Sequence, residues 1–177
     1  MYRGLNINKG ENIMINYFNG IIGVEKIKTR YRELALQHHP DRGGNLETMQ
    51  EINRQYHERL KASDKSTSRG SNGESHTYYY NEERETIVAE KLAEVIARNL
   101  SNIRIMLVGT WLWVDGETKA VKDQLKELGF RWHGERGKWY WNTGNYRRGR
   151  SNADFGTIAA KYGYKEYNSE EKKRISA

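Results

Sequence analysis

The sequence predicts an N-terminal all-α helical hairpin joined to a small C-terminal α+β module with a short antiparallel sheet. Three observations carry that prediction. Apolar residues recur at helical spacing on both sides of the turn that holds Pro40, the only proline in the chain. Between Ala62 and Thr77 the composition turns abruptly to Ser, Thr, Gly, Asn, Asp and Lys. After residue 103, short runs rich in β-branched and aromatic residues surround one further helical stretch. The expected division is residues 13–61 for the hairpin, 62–80 for a flexible linker and 81–102 for a connecting helix. Residues 103–167 form the α+β module and 168–177 a charged tail.

Bulk properties narrow the function classes. At 177 residues the chain holds one ordinary domain or two small ones. A formal net charge of +7 leans toward acidic partners, either nucleic acid or a negatively charged protein surface. The absence of cysteine excludes disulfides and thiolate metal sites and suits a reducing cytoplasm. No apolar run approaches the ~20 residues that a membrane crossing needs, so no membrane partner is expected.

Met14–Ile22 is apolar enough for a first short helix, although Gly20 and Gly23 weaken it. The next helix runs up to His38, with Ile27, Leu34, Ala35 and His38 on one side and Tyr31 at its edge. Lys28 and Arg32, four apart, are expected as a basic stripe facing away from that side. Pro40 stops the helix, Asp41, Arg42, Gly43 and Gly44 form a loop, and Asn45 caps the following helix. Met49, Ile52, Tyr56 and Leu60 line that second helix. So short a loop makes the two helices antiparallel neighbours with His39, Pro40 and Asp41 at the tip.

In Asn81–Leu100, Val88, Leu92, Val95 and Ile96 share one side, and Glu82, Glu83 and Glu85 crowd the N-terminal turns as the helix dipole favours. Arg104–Val114 reads as one bulged strand or two strands, and Asp115–Gly116 as a turn. Thr118–Leu128 is helical and Gly129 ends it. Phe130–Trp132 and Lys138–Trp141 form a β-hairpin around His133–Gly137, and Asp154–Tyr162 makes a last short helix.

The stretch from about Tyr17 to Leu60 resembles a J-domain, the module of the DnaJ family. The likeness rests on the Tyr17-Phe18 start, on Lys28-x-x-Tyr31-Arg32-x-Leu34-Ala35, on His39-Pro40-Asp41, and on Ile52-Asn53-x-x-Tyr56-x-x-x-Leu60. The Asp-Arg-Gly-Gly-Asn run after the proline is most similar to compact J-domains carried by viruses and mobile elements. The resemblance implies a co-chaperone that recruits a DnaK-type ATPase chaperone and stimulates its ATP hydrolysis. His39, Pro40 and Asp41 would engage the chaperone's nucleotide-binding domain near its interdomain linker, with Asp41 meeting a partner arginine. Lys28, Tyr31 and Arg32 would dock on an acidic patch. Glu33 stands where many J-domains carry another basic residue. The linker would then let the C-terminal module hold one dedicated protein target while the hairpin recruits the chaperone.

The C-terminal module has a weaker resemblance, over about Val108 to Tyr146, to Trp-rich modules of phage and plasmid proteins. From Arg131 to Arg150 there are six basic residues against Glu135 alone. Arg131, Trp132, Lys138, Tyr140, Arg147, Arg148 and Arg150 are candidates for binding single-stranded nucleic acid, cations meeting phosphates and rings stacking on bases. The competing reading makes Trp139 and Trp141, on one face of a strand, core residues of a module poor in aliphatics. The alternative function is accordingly a nucleic-acid-binding accessory protein in phage or plasmid replication. No catalytic residue, metal ligand set or cofactor motif is found: the histidines lack ligand spacing, and Gly43-Gly44 is not followed by Lys-Ser or Lys-Thr.

Overall fold

The computed structural model describes residues 15–70, 73–144 and 155–161. Met1–Met14, the basic run Arg147–Arg150 and the charged tail lie outside the described residues. The chain is an α+β fold whose first part is two packed helices, α1 (Val24–His38) and α2 (Leu46–Ala62). Ile27, Leu34, Ala35, Met49, Ile52 and Leu60 fill the space between them, and Tyr31 stacks on Tyr56 with ring centroids 3.9 Å apart. Such a ring pair adds about 1 kcal/mol beyond its burial.

The helix expected over Met14–Ile22 does not form in its described part. Residues 17–20 make a turn, and Gly20 and Gly23 both take left-handed φ, 69° and 96°. The segment is pinned to α2 by side chains instead. Gln55 Oε1 accepts from the Tyr17 amide (2.9 Å), Gln55 Nε2 donates to the Ile15 carbonyl, and Arg59 donates to the Phe18 carbonyl. Phe18 is thereby driven fully into the core.

The expected flexible linker is the second correction. After α2, strands β1 (Thr67–Arg69) and β2 (Ser75–Thr77) form an antiparallel hairpin. Its side chains are largely exposed, as the polar composition demands, so apolar burial does not order it. Backbone pairing does, extended at the base by Lys65 N–H to the Tyr78 carbonyl (2.8 Å) and Tyr78 N–H to the Ser66 carbonyl (2.9 Å). Tyr78 and Tyr80 then pack against the core, while Tyr79 stays exposed.

Helix α3 (Glu82–Ala97), capped by Asn81, leads into a four-stranded antiparallel sheet of order β3-β4-β6-β5. Arg104–Val114 resolves into two strands, β3 (Ile103–Val108) and β4 (Trp111–Gly116), with Gly109-Thr110 as the turn; Asp115-Gly116 ends β4 rather than turning the chain. Helix α4 (Lys122–Glu127) is shorter than expected because Thr118–Val121 is spent on turns, and Gly129 closes it at φ 80°. Strands β5 (Arg131–His133) and β6 (Lys138–Asn142) pair as a hairpin, and α5 (Phe155–Lys161) follows.

The sheet's two faces go to different neighbours. Leu107, Leu112, Val114 and Trp139 join residues of α1, α2 and α3 in one continuous core, with Trp141 packed against it. Met106, Val108 and Trp113 on the other face pack with Trp111, Tyr140 and the α5 residues Phe155 and Ile158. The helical hairpin and the α+β module therefore share a core and are not tethered units. Among the described residues no helix is long and apolar enough to cross a membrane.

Candidate partner-binding sites at the hairpin tip and on the sheet

The tip between α1 and α2 is a tight hydrogen-bonded turn. Pro40 requires extended geometry at the residue before it, and His39 has φ −63° and ψ 130°. Its amide donates to the Ala35 carbonyl, and its own carbonyl accepts from the amides of Arg42 (2.9 Å) and Gly44 (3.0 Å). Its imidazole Nδ1 accepts from the Asp41 amide (3.2 Å), which places the proton of the neutral ring on Nε2. His39 is consequently buried, and the imidazole builds the turn instead of projecting from it. Asp41 and Arg42 are the exposed groups, beside half-buried Pro40. Gly43 takes φ 85°, and a Cβ on Gly44 would overlap the His38 carbonyl, so the two glycines have separate reasons to be there.

The basic stripe expected on α1 is overturned. Lys28 is 1% exposed, its Nζ bonded to Glu85 Oε1 at 2.9 Å and to the Gly109 carbonyl at 2.7 Å. Arg32 Nη1 donates to the Ile105 carbonyl at 2.7 Å, and Tyr31 is buried with its hydroxyl on Asn53. The stripe faces α3 and the β3–β4 hairpin, where one carboxylate, the Gly109 turn carbonyl and the Ile105 strand carbonyl replace its water. Of the six residues expected at a chaperone interface, only Asp41 is fully exposed.

The chain matches no family model, no curated protein and no solved structure.

Glu85 is the residue whose importance the sequence reading missed. Its carboxylate also accepts from the Tyr78 hydroxyl (2.9 Å) and lies 3.4 Å from that of Tyr56, and burial first, then this carboxylate, pushes both phenols up from their ordinary range. The signal was present: residues 85, 88, 92 and 95 fall on one helical side, so Glu85 stands in the apolar stripe.

On the sheet, the candidate nucleic-acid residues divide between two faces. Arg131 faces Tyr140 across β5–β6 with Lys138 on the same side, whereas Trp132 pairs with Trp139 on the other. Lys138 is engaged by Asp115, which also takes Arg104 at 2.8 Å. Burial alone would raise the Asp115 carboxyl, but the hydrogen bonds from Arg104 and Lys138 hold it below the usual range. Trp132 is half-exposed and sits edge-on to buried Trp139. Trp139 is thus a core residue with Trp141 packed against it, and among the described candidates Trp132 stands on the opposite face from Arg131, Lys138 and Tyr140.

Proposed function

We propose that this protein acts as a J-type co-chaperone that engages a DnaK-type ATPase through the tip of its helical hairpin. The observation that carries the reading is the His39-Pro40-Asp41 turn: buried His39 fixes the backbone and leaves the Asp41 carboxylate exposed at the end of two packed helices. An exposed carboxylate on a rigid turn suits a partner arginine, a charge-assisted contact of roughly 1.5–3 kcal/mol. With Lys28 and Arg32 engaged inside the fold, contact is concentrated at the tip, and its rate depends only weakly on ionic strength. The α+β module, packed on the back of the hairpin, presents any dedicated target at a fixed angle to the chaperone.

Single-turnover ATP hydrolysis by the host's DnaK-type chaperone tests this. Stimulation by the wild-type chain and a loss of roughly 10–100-fold in apparent affinity for Asp41→Asn is the expected result. Unchanged stimulation by Asp41→Asn would overturn the reading.

One observation favours the nucleic-acid alternative: exposed Arg131 lies opposite half-buried Tyr140, with Trp111 beside it at 5.8 Å. That reading predicts salt-dependent binding of single-stranded DNA or RNA that Arg131→Ala weakens and Asp41→Asn leaves intact.

A further inference from the structure

On the face of the sheet turned away from α1, α2 and α3, rings and cations stand together. Strand alternation and the register put Trp111, Trp113 and Tyr140 on this side. The same alternation brings Arg104, Lys138 and Arg131 there against one strand carboxylate, Asp115, so three minus one leaves +2. These cations differ in what holds them. Arg104 and Lys138 are both engaged by Asp115. Arg131 is exposed and makes no hydrogen bond or ion pair among the described residues.

The ring surface divides in a similar way. Helix α5 sets Phe155 edge-on to Trp113 at 5.2 Å and closes that half of the face. Trp111 and Tyr140 are left half-buried, with centroids 5.8 Å apart and planes tilted by 34°. Rings this close already touch each other, so a planar ligand lies over them and not between them.

Charge selects the ligand. Ring clusters often take organic cations, but here the protein's own cations hold that place. The Arg136 guanidinium lies 5.7 Å from the Trp113 centroid, and Lys138 Nζ lies 4.8 Å from that of Phe155. A further cation would be repelled by them and by Arg131. An acidic peptide would use Arg131 and leave the rings idle, whereas a base joined to a phosphate uses both. We infer, resting on the nucleic-acid reading, that Tyr140 and Trp111 carry a base of a single-stranded nucleic acid while Arg131 binds the phosphate beside it. The helical hairpin packs on the other face of the sheet, so strand binding here and engagement at Asp41 do not compete.

Fluorescence anisotropy of labelled oligothymidylate and oligouridylate with the full chain tests the site. Saturable, salt-sensitive binding is expected. Tyr140→Leu should weaken it at least about fivefold, and Tyr140→Phe, which keeps the ring, should not. Arg131→Ala should weaken binding and make the slope of log affinity against log salt shallower by about 0.7, the signature of one lost phosphate contact. Trp132→Leu, on the opposite face, should leave affinity unchanged. Far-ultraviolet ellipticity checks the fold of each variant; where Tyr140→Leu loses it, the Arg131→Ala slope decides alone. A wild-type slope in Arg131→Ala, a wild-type affinity in folded Tyr140→Leu, or an equal loss in Trp132→Leu would overturn this site and leave the nucleic-acid reading standing. Failure of both strands to bind would overturn the two together. Thymidine monophosphate or a mixed-sequence duplex bound as tightly as the oligomer would also overturn the site, since the first needs no strand and the second offers no unstacked base.

Discussion

Taking a lysine ammonium out of water costs several kcal/mol, and Lys28 offsets this only through contacts of good geometry, Glu85 at 2.9 Å and the Gly109 carbonyl at 2.7 Å. Removing one partner is therefore worse than removing both. Lys28→Met is expected to destabilise by about 3–5 kcal/mol in urea unfolding, and adding Glu85→Gln should return most of that loss. Glu25 gives stability the opposite pH dependence from an ordinary ion-paired carboxylate. Its folded value of about 7 lies above the 4.5 of the free side chain, so the folded chain binds the proton more tightly. Stability then falls as pH rises from 4.5 to 7 and is flat beyond, a loss on the order of 3 kcal/mol. Glu25→Gln should flatten that slope. At the tip, Gly44→Ala forces a methyl group onto the His38 carbonyl and should cost about 1–3 kcal/mol, with chaperone stimulation lost in parallel.

Among the elements, the β1–β2 hairpin has the least apolar burial and hangs on one ring. Tyr78→Ala removes the contact with Glu85 and the packing at the hairpin's base, and should open residues 63–77 to limited proteolysis; Tyr79→Ala, at an exposed position, should not. The hairpin also marks where sequence reading stopped. Polar composition leaves little apolar surface to bury between Ala62 and Thr77, yet a backbone ladder needs none, and it is extended by Lys65, Ser66 and Tyr78 backbone bonds that no periodicity encodes. Elements with strong periodicity were legible nearly to their ends: α1, α2, α3 and the β5–β6 hairpin lie where the spacing put them. Met14–Ile22 was not, because two glycines with left-handed φ outweigh its apolar content.

For the molecule as a whole, the decisive fact is that hairpin and sheet bury one core. All five tryptophans lie between residues 111 and 141, so indole fluorescence reports the sheet while far-ultraviolet ellipticity is dominated by α1, α2 and α3. The two signals should show coincident midpoints in denaturant, as one cooperative unit requires; separated midpoints would restore the tethered arrangement. The proposed partner-facing site was legible as a turn at the tip, where the motif is local. It was illegible along α1, because a helical wheel cannot show that Lys28 and Arg32 are covered by strands that begin after residue 100.

That distance along the chain has a consequence for birth at the ribosome. Lys28 and the Gly109 carbonyl are 81 residues apart, and at roughly 5–20 residues per second the interval between them is roughly 4–16 s. Throughout it, the emerging helix carries an ammonium on the side that will become interior, with neither Glu85 nor Gly109 yet made for part of that time. A nascent hairpin in this condition has reason to stay loose until the sheet arrives, and any factor that first meets this protein meets it with the α1 stripe still open to water.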